Sequence, residues 1–215
     1  MIVIVNYGLG NLASIKNMFK KIGAESIISS DLEVIGNAEK LLLPGVGAFD
    51  NGMTHINDLG FRQILNKKVM EDKVPILGIC LGMQLLTRSS EEGQLEGLGW
   101  IDAKCDKFNF ESIETDTKLR VPHMGWNEVN IQNNQTLFKG FEQGDAAFYF
   151  VHSYHVVCEN EADIMGMTPY GYEFVSVIQK DNIFGAQFHP EKSHKYGMRL
   201  LKNFVDIDPK SFNKL

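Results

Sequence analysis

The chain opens on a continuous β-branched run, Ile2–Val5, followed by the glycine- and asparagine-rich stretch 6–11. Apolar residues then recur at Leu12, Ile15, Met18, Phe19 and Ile22. A run without alternation marks a strand buried on both faces, and recurrence at three and four residues marks one face of a helix. Gly23 can close that helix as its C-cap. The pattern continues with Ser26–Ser29 as a second strand, a helical turn over 31–38, and 41–43 as a third strand. Residues 53–70 read as one helix. The apolar run 76–79 reads as a buried strand leading into a helix from 83 to about 91. Strands alternating with helices predict an α/β fold, a mostly parallel doubly wound sheet with helices on both faces. Such sheets take their ligands at the carboxyl ends of the strands.

From 93 to about 172 the pattern changes. Short apolar stretches at 100–101, 118–121, 127–131, 146–152 and 155–158 are separated by glycines and polar residues. These predict an appended antiparallel or mixed β-region. A last helix is expected over 196–205, packed down by Leu200, Leu201 and Phe204. No linker, repeat or low-complexity segment interrupts the chain, so 1–215 is expected to be a single domain.

Composition narrows the function classes. With 44% hydrophobic and 22% charged residues, there is ample material for a core. A net charge of −6 argues against nucleic acid or an anionic membrane as the main partner. No apolar run approaches the roughly 18 residues of a membrane span. Three cysteines (Cys80, Cys105 and Cys158) form no framework spacing, which predicts reduced thiols and a cytoplasmic location. The N-terminal stretch lacks the basic flank of a signal peptide.

Candidate chemistry concentrates on Gly78-Ile79-Cys80-Leu81-Gly82. Glycines two residues either side of a nucleophile permit a sharp strand-to-helix turn, because a Cβ at either place would crowd the backbone. Such an elbow lifts the Cys80 sulfur to a substrate, places it at a helix N-terminus that favours thiolate, and offers the Leu81 N–H to an oxyanion. A buried, inert cysteine is the alternative. The loop Pro44-Gly45-Val46-Gly47 ends the third strand and is a candidate second wall of the oxyanion site. In His189-Pro190-Glu191, residues two apart in an extended chain face the same way, so the carboxylate can orient the imidazole. The stretch 6–11 lacks the third glycine of a dinucleotide fingerprint and an acid about 20 residues on. It reads as a turn close to the site. The loop 121–127 carries His123, Met124 and Trp126 beside Pro and Gly. It is either a local hydrophobic plug or a partner-binding loop. His152 and His155 lack a third ligand at zinc-site spacing, so no metal is expected.

PGVG at 44–47, GICLGMQ at 78–84 and HPEKS at 189–193 together resemble the class I, triad-type glutamine amidotransferases over essentially the full chain. Within that family, VPHMGWNEV at 121–129 and FYFVHSYHV at 148–156 are similar to the glutaminase subunits of imidazole glycerol phosphate synthases. The resemblance implies hydrolysis of L-glutamine through a thioester on Cys80, with His189 as acid and base and Glu191 as its orienter. It implies an oxyanion hole at Gly47 and Leu81 and substrate contacts from Gly45, Gln84, His152, Ser153 and Tyr154. It also implies a partner face or ammonia gate at His123, Met124, Trp126, Tyr149 and Lys192, and no cofactor. The implied partner is a (β/α)8 cyclase subunit, joined as a heterodimer, which receives the ammonia through a channel in histidine biosynthesis. A paralogous branch serves a sugar-amidating synthase subunit in surface-polysaccharide synthesis, and 88–93, 97–103 and 189–197 lean toward it. A non-catalytic binding member of the same architecture is the third reading.

Overall fold

The structure, a computed structural model, describes residues 1–113, 119–132, 136–142, 144 and 146–212. Strands and helices alternate through the first part of the chain: β1 (Ile2–Val5), α1 (Leu12–Lys21), β2 (Ser26–Ser29), α2 (Leu32–Gly36), β3 (Lys40–Gly45), α3 (Phe49–Asp58), α4 (Phe61–Asn66), β4 (Ile76–Cys80) and α5 (Leu81–Leu85). Strands then dominate: β5 (Ser89–Ser90), β6 (Ala103–Lys107), β7 (His123–Glu128), β8 (Asn130–Ile131), β9 (Ala147–His152), β10 (Tyr154–Cys158), β11 (Ile164–Tyr170), β12 (Tyr172–Lys180) and β13 (Ile183–Ala186). Helix α6 (His194–Asp206) follows.

The central sheet runs β2-β1-β3-β4-β13-β12-β10-β6-β5. From β2 to β13 the neighbours are parallel, and β12 and β10 continue it antiparallel. Successive side chains of a strand point to opposite faces, so each central strand feeds two cores. Val3, Val5, Leu41, Leu43 and Ile76 pack with Phe49 and Met53 of α3 and Phe61 and Leu65 of α4. Their neighbours Ile2, Ile4, Leu42, Leu77 and Ile79 pack with Ile15 and Phe19 of α1 and Leu200, Leu201 and Phe204 of α6. Burial on both faces is why these strands read as unbroken apolar runs.

Several elements differ from the sequence reading. The helix expected over 53–70 is two helices, because Gly60 adopts φ 71° between α3 and α4, and residues 67–71 then form a π turn. Helix α5 stops at Leu85 instead of near 91. The Leu98 and Trp100 N–H groups fold back onto the Leu85 and Leu86 carbonyls, taking the bonds a further turn would have used. Residues 100–101 belong to that return and form no strand. Lys118 lies outside the described residues, and 119–122 form no strand. Most of the later β-region prolongs the central sheet, whereas β7 and β9 pair as a separate antiparallel ribbon. Among the described residues no helix is long and apolar enough to cross a membrane.

Candidate active site

Strand pairing brings the three motifs to one sheet edge. Gly45 at the end of β3 lies beside Cys80 at the end of β4, and Ala186 at the end of β13 lies beside Ile79. Cys80 itself has φ 54° and ψ −111°, a conformation that costs a non-glycine residue on the order of 1–3 kcal/mol. Two close approaches hold it there. A Cβ on Gly78 would sit 2.6 Å from the Gly82 carbonyl oxygen, and a Cβ on Gly82 would sit 1.8 Å from that of Leu43.

Above the elbow is a cavity of about 460 Å³. Cys80, Leu81, Gln84, His189, His152, Ser153 and Tyr154 line it, with Gly47 and its neighbours Val46 and Ala48 as one wall. Gly45 lies behind this lining, close to the Tyr7 hydroxyl and the Gly82 N–H. Glu91 stays out of the cavity, but Glu92 joins its wall and accepts the Phe49 N–H at 2.8 Å.

His189 Nδ1 donates to Glu191 Oε1 at 2.8 Å, and the two side chains are 2% and 1% exposed. Glu191 reaches the ring differently from the expected extended pair, since Pro190–Lys192 form a 3₁₀ turn that folds the carboxylate back. The ring is further fixed through its backbone: the His189 N–H donates to the Tyr149 carbonyl and its own carbonyl accepts the Ser193 hydroxyl. Nε2 is buried without a well-aligned hydrogen bond and has Cys80 as its electrostatic partner. Burial pulls the imidazole pKa down, but the interactions with Cys80 and Glu191 override it and raise the value to about 9. Because α5 is little more than one turn, few aligned peptide dipoles stand behind the sulfur. The imidazolium, more than the helix, is therefore the positive charge set beside the sulfur.

This pairing has a stability consequence. A group whose folded pKa rises from 6.5 to about 9 stabilises the fold fully below pH 6.5 and loses that contribution as pH climbs through 9. Chemical denaturation from roughly pH 6 to 10 should show a decline on the order of 3 kcal/mol that is absent in His189→Gln. Parallel profiles for the two proteins would refute the assignment.

Behind the cavity a chain of hydrogen bonds settles two further tautomers. The Tyr154 carbonyl can only accept, so His152 Nδ1 carries the proton at 2.8 Å. His152 Nε2 must then accept from His123 Nδ1 at 3.1 Å, and His123 Nε2 accepts from the Asn127 amide at 3.3 Å. Burial lowers the two imidazoles to about 3 and about 4, so both are neutral at pH 7. With both nitrogens engaged, the His152 ring gives the pocket shape and no free hydrogen bond. For His123, expected at a partner face or an ammonia gate, the structure differs on the first of these. Alternation along β7 turns it inward at 2% exposure, so it presents nothing to a partner. Its neighbours Met124 and Trp126 are 62% and 48% exposed. Trp126 stacks on His194 at 5.4 Å and meets the edge of Tyr149, over which Lys192 Nζ sits at 5.4 Å.

The model of the class-I glutamine amidotransferase family matches residues 3–207. The chain belongs to this family. It is 54% identical over 205 residues to "Imidazole glycerol phosphate synthase subunit HisH 2" of Methanococcus maripaludis, covering 95% of this chain and 98% of that one. It is 47% identical over 207 residues to the Pseudomonas aeruginosa protein of the same name, covering 96% and 100%. A solved glutamine amidotransferase shares the fold at a TM-score of 0.71 and 18% identity, over 96% of this chain and 98% of that one. Two groups of this amidotransferase site escaped the sequence reading. Glu92 sits in a charged stretch that looks like solvated surface. Gln187 was visible inside 184–192, yet nothing local marks its side chain as fully buried against the sulfur.

Proposed function

We propose that this amidotransferase, acting as one domain over 1–215, is the glutaminase subunit of an imidazole glycerol phosphate synthase in the cytoplasm. It hydrolyses L-glutamine to glutamate and ammonia and passes the ammonia to a (β/α)8 cyclase partner in histidine biosynthesis. The observation that carries the reading is the strained Cys80 beside a His189 held at 2.8 Å by buried Glu191, in a chain 54% identical to a HisH subunit.

The Cys80 thiolate attacks the side-chain amide carbon, and the Leu81 and Gly47 N–H groups receive the developing oxyanion. His189 Nε2 gives its proton to the departing nitrogen, so ammonia leaves and a glutamyl thioester remains. Water then loses a proton to the same nitrogen and attacks the thioester, releasing glutamate and restoring the sulfur. Both hydrogens of the Gln84 amide are committed, to the Tyr154 carbonyl and to Gln187 Oε1 at 3.1 Å each. Gln84 can therefore meet the substrate only through its oxygen, which suits the α-ammonium group, as does the Glu92 carboxylate. Ser153 and Tyr154 close the far side of the same pocket. The exposed Met124 and Trp126, with Tyr149 and Lys192, form the partner face, since Trp and Met are favoured at interface cores.

A second reading is the paralogue that supplies a sugar-amidating synthase subunit, toward which the stretches 88–93, 97–103 and 189–197 lean. The chemistry on this chain is the same in either case. Glutamate release should be slow for the chain alone and stimulated by its partner with the acceptor bound. Stimulation by the cyclase and its ribonucleotide supports the histidine-pathway reading, and stimulation only by the sugar-amidating subunit replaces it. No release with any partner, with Cys80 reduced, would rule out both.

A further inference from the structure

Gln187 follows the last residue of β13, and its side chain is fully buried. Its backbone N–H is tied to the Ser176 carbonyl at 2.9 Å, so the side chain is delivered from a fixed point. The orientation of its amide follows from one fixed acceptor. A backbone carbonyl cannot donate, so the Tyr154 oxygen must receive a hydrogen from Gln84 Nε2. That orients the Gln84 amide, whose second hydrogen goes to Gln187 Oε1. Reversing the Gln187 amide would set two NH₂ groups against each other. Its oxygen therefore faces Gln84, and its Nε2 is left beside the Cys80 sulfur at 3.7 Å.

We propose that Gln187 is a positioning residue that holds an N–H donor on the Cys80 sulfur and links the nucleophile to the substrate contact Gln84. The inference rests on the proposed nucleophilic role of Cys80. A donor aimed at sulfur favours thiolate over thiol, because only the anion is a strong acceptor. The link also means that a ligand pulling on Gln84 acts, through one shared amide, on the donor that faces the sulfur.

The test is the pH dependence of alkylation by iodoacetamide, read for each cysteine by mass spectrometry on the full chain. Cys105 and Cys158 serve as slow internal references, since burial pushes both thiols up to about 12. Gln187→Met keeps the bulk and removes the amide. Gln187→Leu removes the same N–H without placing a carboxylate beside the sulfur, and it serves as a second variant should the first unfold. Thermal melting identifies which variants are folded. The midpoint for Cys80 should rise by about one pH unit in either folded variant, with alkylation at pH 7 slowed several-fold. The pH profile of kcat should move the same way, a shift that a merely structural role would not produce. An unchanged midpoint in a folded variant, with wild-type Cys80 reacting much faster than Cys158, overturns the inference alone. Wild-type Cys80 reacting no faster than Cys158 overturns the nucleophile reading and this inference with it.

Discussion

Cys80→Ala is expected to abolish glutamate release from glutamine, with a loss of at least about a thousandfold in kcat. The expectation follows from the division of labour at the site. His189 and Glu191 have no second acceptor for the glutamyl group, and water attacking an unactivated amide directly would need the barrier that the thioester splits into two smaller ones. Alanine keeps the Cβ, so the strain at φ 54° persists, while the Cys80 share of the His189 stabilisation is lost, so the melting temperature should fall but the chain should stay folded. A glutamine-like electrophile should label the wild-type chain once and Cys80→Ala not at all. Cys105 is fully buried and its thiol is pushed up to about 12 by that burial, as is that of Cys158. Their alanine variants should therefore retain the label. Equal labelling of all three thiols would sink the triad.

Gly82→Ala is expected to destabilise the fold by at least about 3 kcal/mol, enough to leave a marginal domain largely unfolded. The added Cβ would lie 1.8 Å from the Leu43 carbonyl oxygen, and neither side can yield cheaply. Leu43 is held within β3 by its pairing with β4 opposite Gly78, and Gly82 stands in the first turn after the elbow. Moving either one opens the junction that carries both Cys80 and the Pro44–Gly47 loop. Any folded fraction should therefore also lose glutaminase activity, unlike an ordinary packing defect remote from the site. Denaturant melts of the variant would settle this, and a midpoint within a few tenths of a kcal/mol of wild type would contradict the steric reading.

Much of this site is visible in the chain because its causes are local. The need for glycine at 78 is crowding within five residues, against the Gly82 carbonyl, although that at 82 comes from Leu43 on β3, and the unbroken apolar runs of β1, β3 and β4 report burial on two faces. Local spacing is silent where another part of the molecule competes. The break at Gly60 leaves the apolar rhythm of α3 and α4 intact, so one helix was expected where there are two. The end of α5 is imposed by N–H groups from Leu98 and Trp100, which no property of residues 81–91 announces. His123 shares its loop with exposed Met124 and Trp126, but β7 pairs with β9 and its alternation sends the imidazole into the core.

By itself, then, the sequence determined the alternation of strands and helices up to the elbow, the identity of the elbow and the presence of a histidine with a carboxylate two residues on. Tertiary structure decided which atoms those residues present to one another. The entry of Glu92 into the cavity and the aim of the Gln187 amide at sulfur depend on partners far away in the chain, and the short turn that brings Glu191 within 2.8 Å of His189 is anchored at both ends by Tyr149 of β9. Side-chain direction over such separations is set by packing and by the one-way chemistry of donors and acceptors, which come into force only once the sheet has brought its edges together.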